Sequence, residues 1–390
     1  MRALRTIAVA VAATAAVVPA RRAAADAMDP ALGRLVLDES CRTAGGPTGT
    51  GYYYDPLSEY RRCIVNHAAF AKLVAQYGFA LAPTAMHPAH TPGYGGFKVA
   101  IEGAFTTIDA NAHYWRYGTE GPIDESTKLA SVSNKNPDGT LQVYALKLAK
   151  GFPFGLELGG AFGYLVNTGI VAGGADLRLA LFEGFRASIP GYFPDWAVGG
   201  GVRTITGSPE LKLTIASADS QLSKPIPLGG TLVLTPHVGY QWIHIFGDSG
   251  LVDLTPNTDA LSHCGYKGDN TPVQSEPDKS KGGFDGQPLC AGSSGDFNNT
   301  VVFEAARIHR HRINFGAELR FQALHVGVHA VTDVIAPKDA NAKTESEYDP
   351  SDPTGVKTIQ LNKLADDPRT EGNDEVKRQW TVAVELGAVF

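Results

Sequence analysis

The chain ends in a strand that alternates without a break. Stepping back by twos from Phe390 meets Ala388, Leu386, Val384, Val382 and Trp380, all apolar. Between them lie Val389, Gly387, Glu385, Ala383 and Thr381, smaller or polar. Successive β side chains point to opposite faces, so this segment has one oily face, one mixed face and an aromatic at each end. A half-buried strand of a soluble protein alternates in the same way, but usually over about five or six residues.

Nine further segments repeat the pattern: 97–106, 141–150, 154–165, 169–181, 195–204, 211–217, 231–245, 312–321 and 325–334. In 312–321, Ile313, Phe315, Ala317, Leu319 and Phe321 oppose Arg312, Asn314, Gly316, Glu318 and Arg320. In 211–217, Leu211, Leu213 and Ile215 oppose Lys212 and Thr214. Alternation alone does not say which face points inward. Three features favour oily faces pointing out. Small residues accompany the charges, as a crowded interior requires. Phe97, Phe105, Tyr144, Tyr164, Trp242 and Trp380 sit near strand ends on the oily faces, as in an interfacial girdle. Most segments also reach the roughly nine to eleven residues that a tilted strand needs to cross a bilayer.

These features resemble bacterial outer-membrane β-barrel proteins over about 96–390, and the terminal Phe390 resembles the aromatic that such proteins offer to the barrel-assembly machinery. The resemblance is to the class and carries over no functional residue. It implies an all-β fold, a transmembrane antiparallel up-and-down barrel of ten strands, located in the outer membrane and in contact with its lipid. Connection lengths agree. With the C-terminus periplasmic, the three long connections, 107–140, roughly 248–305 and 336–376, all fall outside, where such barrels keep their long loops. Twelve strands remain open if Gln76–Leu81 and part of 107–140 also span.

Residues 1–25 read as a secretory signal peptide. A basic Met1–Arg5 precedes an apolar Thr6–Val18, too short to span as a helix, and a small-residue region follows with cleavage expected between Ala20 and Ala27. Residues 26–95 form a separate N-terminal segment. Asn66–Gln76 has Ala-rich helical character with Phe70, Leu73 and Val74 on one stripe. The favoured reading is a periplasmic helix, because a ten-stranded barrel leaves little free lumen; a plug in the barrel mouth is the alternative. In an oxidising compartment the four cysteines pair most economically as Cys41–Cys63 and Cys264–Cys290. No Cys-x-x-Cys spacing supports a zinc site.

Chemistry is sparse. There is no G-x-S-x-G, H-E-x-x-H or Walker sequence, and Gly199-Gly200-Gly201 reads as strand glycine. Asp248, Asp253, Asp259 and Asp269 lack EF-hand spacing. No cofactor, metal site or catalytic residue is expected. The mild acidity, 34 basic against 40 acidic residues, argues against a nucleic-acid partner. The best-defined constellation is a set of charges on the inferred inner faces: Lys98, Glu102, Lys147, Glu157, Asp176, Arg178, Arg203, Lys212, Arg312, Glu318, Arg320 and Glu385. Glu385 has Lys98 across the seam and His329 on the preceding strand as candidate partners. Near-balance of sign suits a closed, salt-bridged barrel with a structural or surface role. A narrow porin or small-solute channel is the alternative, and a divalent cation is a further candidate ligand. Ten-stranded outer-membrane proteases carry acidic residues and a His–Asp pair at the outer rim. His244, Asp248, His309, His311 and Asp333 are the residues available here for such a hydrolase, although no local motif matches. The connection at 336–375 is acidic, with ten Asp or Glu against five Lys or Arg.

Overall fold

A computed structural model describes residues 26–36, 52–55, 60–63, 65–84, 87–122, 133–183, 193–254, 265–266, 288–289, 300–336, 344–348, 356–360 and 376–390. Ten antiparallel strands make the wall: β1 Phe97–Thr107, β2 Thr140–Gly151, β3 Leu156–Leu165, β4 Val171–Phe182, β5 Asp195–Thr206, β6 Leu211–Ser223, β7 Leu232–Ser249, β8 Ala306–Phe321, β9 Leu324–Asp333 and β10 Trp380–Val389. Each pairs with the next in sequence, and β10 pairs back onto β1 with Glu385 opposite Glu102, so the sheet closes on itself. A short strand, Ile226–Gly229, folds back on the start of β7. The long connections leave one end of the barrel, here the loop rim; short turns and Phe390 mark the other, the turn rim.

The barrel is oily outside. On β1, Ile101 is 63% exposed while its neighbour Glu102 is 3% exposed. On β10, Leu386 is 58% exposed and Glu385 is 1%. Exposed aromatics gather at both ends of this surface. Phe97, Phe182, Phe321 and Phe390 ring the turn rim; Phe105, Tyr144, Tyr164, Tyr240, Trp242, Phe315 and Trp380 ring the other. No described helix is long and apolar enough to cross a membrane; the crossing is made by strands.

The lumen is filled by the chain's own N-terminal segment, which corrects the expectation of a periplasmic helix. Helix α1, His67–Leu81, starts at Asn66, whose side chain accepts a hydrogen bond from the Ala69 amide at 2.9 Å. Every residue of α1 except Ala68 is buried. A helix apolar on all sides needs a wall all round it, and the barrel supplies one. Room comes from the small residues of the inner faces. A Cβ placed on Gly78 of α1 would lie 2.6 Å from Ile245 Cδ1 on β7. A Cβ on Gly247 of β7 would lie 2.4 Å from Val74 Cγ1 on α1. Helix and wall thus interlock reciprocally, each large residue seated on the other's glycine.

Three further expectations change. Gln76–Leu81 is the last part of α1, and the described part of 107–140 contains a short helix, α2 His113–Gly118, beyond the rim; the barrel has ten strands, not twelve. Lys212 faces outward: Leu211, Leu213 and Ile215 are 1%, 2% and 0% exposed and point into the lumen. The oily face of β6 turns in here because α1 occupies this half of the interior and offers it an apolar partner. β6 and β8 also run longer than their alternating cores, to Ser223 and back to Ala306.

Overpacking the helix–wall contact is expected to loosen it. Gly247→Leu should destabilise the folded barrel by about 1–3 kcal/mol, read as a lower temperature for loss of heat-modifiable gel migration. Gly139→Ala, whose Cβ would meet nothing within 4 Å, should leave that temperature unchanged. Equal behaviour of the two variants would contradict the interlock.

Candidate functional site: the occupied lumen

The N-terminal segment runs from one rim to the other. At the loop rim, residues 26–36 form a cap tied to successive connections. The Met28 amide donates to Asn167 O at 2.9 Å, the Gly169 amide to Asp29 Oδ1 at 2.7 Å and the Leu32 amide to Glu210 Oε2 at 2.6 Å. The Ala31 amide donates to Gly118 O at 2.9 Å, and Arg34 pairs with Glu120 at 2.6 Å. Val36 bridges to Val65, and α1 then descends, with Phe70 packed on Phe303 at 5.0 Å and Tyr77 donating to Met28 O at 2.6 Å. Leu32, Leu35, Leu73, Val74, Trp115, Ile215, Ile243, Ile245 and Ile308 belong to one apolar core in this half of the barrel.

The end of α1 meets two arginines from β8. Arg310 donates to Ala75 O at 2.7 Å; Arg312 donates to Phe79 O and Pro83 O, each at 3.0 Å. Both guanidiniums lie over the Phe79 ring, at 4.4 and 5.0 Å from its centroid. The last carbonyls of a helix lack intrahelical partners and carry the negative end of its dipole, so cations there are favoured. Asp333 completes the clamp with a two-pronged ion pair to Arg310, including a contact of 3.1 Å from Nε to Oδ1, and both side chains are fully buried. Gln379 accepts from Arg310, and Gln241 bridges Arg312 and Pro83.

Below the clamp the interior is charged. Lys98 contacts Glu385 at 2.7 Å and Glu318 at 3.3 Å; Lys147 contacts Glu385 at 3.2 Å and also pairs with Glu102. Arg203 pairs with Asp176 at 2.7 Å, and Arg178 lies 3.9 Å from Glu157. Residues 83–84 and 87–96 lie between them: Thr84 donates to Glu102 at 3.1 Å, Arg178 to Pro88 O at 3.0 Å, and the Ala89 amide to Ser223 at 2.9 Å. Arg320 reaches Gln322 O at 3.0 Å near the turn rim. The histidine beside Glu385 is His325, at 3.1 Å, not His329. Register puts Glu385 opposite Gly327, leaving His329 to hydrogen-bond His237 at 2.9 Å. Glu318, His325 and Glu385 bring ligand atoms within 4.8 Å of one another, a spacing open to a metal ion. Lys98, donating to both carboxylates, already supplies the positive charge there. Cavities of about 20 Å³ beside His90 and Lys98 and about 30 Å³ beside Lys147 and Arg203 remain; each has room for a water or two.

The residues available for a rim hydrolase do not converge. Asp333 points inward to Arg310, whereas His244, His309 and His311 lie on the outer face with Tyr240 and Trp242; His244 and His309 have ring centroids 4.0 Å apart. Asp248 pairs with Arg307 at 2.9 Å. Arg310 is the main residue that sequence reading missed. It lies two residues before Arg312 on the same face, outside the segment taken as strand. Of the cysteines, 41, 264 and 290 lie outside the described residues, and Cys63 sits in a strand, Tyr60–Cys63, paired with Tyr52–Asp55; the disulfide pairs therefore fall outside what the structure describes. Phe390 is 75% exposed, with its backbone paired to Phe97 at the seam.

A closed antiparallel barrel with an apolar outer band, aromatic belts at both rims and a charged interior is an integral outer-membrane β-barrel. No family model matches the sequence, and no curated protein does. Among solved structures, Ail, the attachment invasion locus protein of Yersinia pestis, aligns at 9% identity with a TM-score of 0.22, over 76% of this chain and 99% of that one. The outer membrane protein OprG from Pseudomonas aeruginosa aligns at 10% identity and 0.25, over 77% and 98%. The outer membrane protease OmpT from Escherichia coli aligns at 8% identity and 0.19, over 79% and 98%. No residue correspondence follows at these scores.

Two variants test the lumen. Glu385→Ala strands Lys98 and Lys147 with one carboxylate each and should cost about 3 kcal/mol. Thr381→Ala removes only a buried hydroxyl contact to Thr106, 2.7 Å long, and should cost about 1 kcal/mol. Chemical unfolding of both in detergent compares them; equal losses would mean the charge network contributes little.

The cap has its own pH dependence. Burial pushes the Glu210 carboxyl up to about 7, with Glu120 and Asp253 adding to the rise and the Leu32 amide and Arg34 opposing it. A carboxyl raised on folding stabilises the folded form fully below its ordinary value near 4.5, and that stabilisation is lost as pH rises through about 7. Cap amides should therefore exchange hydrogen faster at pH 8 than at pH 5, after correction for intrinsic rates. Glu210→Gln should flatten the dependence; a wild-type cap insensitive to pH would contradict it.

Proposed function

We propose that this chain is a closed, non-conducting outer-membrane barrel with a structural and surface role, its lumen sealed by its own N-terminal segment. The observation that carries this reading is the seating of α1 inside the wall, its carbonyls held by Arg310 and Arg312. A porin needs a continuous aqueous path. Here one half of the lumen is an apolar core and the other is occupied by paired charges and residues 83–84 and 87–96. The barrel acts as a rigid platform for the cap and the loop-rim connections, which face the exterior of the cell in the usual orientation of such barrels. Membrane lipid on the belts and the assembly machinery at the β10 seam are its expected partners. The chemistry is binding and scaffolding rather than catalysis: of the two aspartates available for a rim hydrolase, Asp333 is committed to Arg310 and Asp248 to Arg307.

Planar-bilayer recording tests the reading. The wild-type protein should give no steady ion current, whereas the double variant Arg310→Ala and Arg312→Ala should show intermittent opening as α1 loosens. Stable currents through the wild type would instead establish the narrow-channel alternative.

A further inference from the structure

The described residues of the N-terminal segment follow one order along the barrel axis. Phe97, at the turn rim, pairs with Phe390, and Gly96 with Gly151. Working back toward the N-terminus, Thr91 reaches Glu183 at 2.5 Å, Pro88 meets Arg178 in the charged half, and Pro83 meets Arg312 at the clamp. Helix α1 occupies the apolar half, and residues 26–36 sit on the connections of the opposite rim. The described residues from 65 to 96 cross the barrel once, from the loop rim to the turn rim. Barrels of this kind are expected to keep both ends of the chain on the periplasmic side. This chain's β1 and β10 do begin and end at the turn rim, but its N-terminal segment does not stay there.

Withdrawal and late entry are both blocked. A helix with its side chains is about 10–12 Å across, and α1 is locked to the wall through Val74 on Gly247 and Ile245 on Gly78. Above it, Trp115 and Phe303 pack into the same core. We infer that the barrel carries its own N-terminal segment across the outer membrane: residues 26–36, held beside the start of α1 by the Val36–Val65 bridge, are delivered to the cell surface through the lumen and are enclosed when β10 closes on β1. The inference rests on the plugged-barrel reading for its route, and it assigns a further activity, export and display of an N-terminal segment, that a plug inserted from the periplasm would not have.

Epitope insertion in the full-length protein tests it on intact cells. One epitope is placed between Gly46 and Pro47, a second between Asp124 and Glu125 in the β1–β2 connection, and a third between Ser188 and Ile189 in a turn-rim connection. Heat-modifiable migration identifies the variants that fold. External antibody should stain the first two to the same level and the third only after permeabilisation. If the Gly46 epitope stays dark while the Asp124 epitope stains, the segment does not cross and the inference is overturned. If both stay dark and the Ser188 epitope stains, the barrel sits in the opposite sense and surface display is overturned. Trypsin added to intact wild-type cells supplies a readout free of insertions: peptides cut within 37–64 support the inference, and protection of that stretch alongside cutting in 107–140 overturns it. Current through the wild type with a surface-exposed Gly46 epitope would sink the sealed lumen and leave the crossing intact.

Discussion

The contact on which the rest of this structure depends is the grip of Arg310 and Arg312 on the end of α1. A buried helix that stops inside a membrane barrel leaves carbonyls with neither water nor a helical partner, each a cost of about 1–3 kcal/mol if unmet. Arg312, on an inward position of β8, donates to Phe79 O in the last turn and to Pro83 O just beyond it; Arg310, on the adjacent inward position, adds a donor to Ala75 O one turn earlier, and Phe79 offers its ring face to both. The arginines in turn need a counter-charge, because a lone buried cation is far more costly than a lone carbonyl. Asp333 on β9 supplies it for Arg310, and Gln379 just before β10 accepts a further hydrogen bond from the same guanidinium. The clamp therefore couples the filling to three successive elements of the wall, including the region beside the closing strand.

This junction also divides the lumen. On the loop-rim side, leucines, isoleucines and aromatics of cap, helix and wall form an apolar core like that of a soluble domain. On the turn-rim side, lysines and glutamates pair across β1, β2, β8 and β10. An apolar core orders the helix without directional bonds; the charge network fixes the closing strand, since Glu385 of β10 binds lysines from both β1 and β2. Outside, the order is reversed, with lipid taking the place that a core has in a water-soluble protein.

Much of the wall was legible because strict alternation sustained over roughly nine or more residues outruns the usual soluble strand and matches one that crosses a bilayer. The segments around Ile101, Leu146, Phe315 and Val384 carried it plainly, and the grouping of long connections on one rim followed from them. Lys212 failed for a physical reason. The rule that oily faces point to lipid assumes a wet or charged lumen, and beside α1 the lumen is apolar, so Leu211, Leu213 and Ile215 turn inward. Arg310 escapes the sequence pattern because the apolar alternation of β8 is regular only from Arg312 onward. Extending the same parity by two residues would have found it. The helix itself was visible in Asn66–Gln76, but its place was not. Whether a ten-stranded wall admits a helix depends on glycines such as Gly78 and Gly247 meeting large residues roughly 170 positions away, a pairing that periodicity does not reveal.

A cross-link can establish whether α1 lies inside the barrel against β7. An ideal Cβ on Gly247 lies 3.2 Å from Val74 Cβ, close to the separation a disulfide spans, roughly 3.5–4.5 Å. In the full-length double variant Val74→Cys and Gly247→Cys, non-reducing peptide mapping should recover a 74–247 linkage from heat-modifiable protein. A folded barrel in which the cysteine introduced at position 74 remains free and reacts with a thiol reagent in the periplasm would place the helix outside the wall and contradict the account.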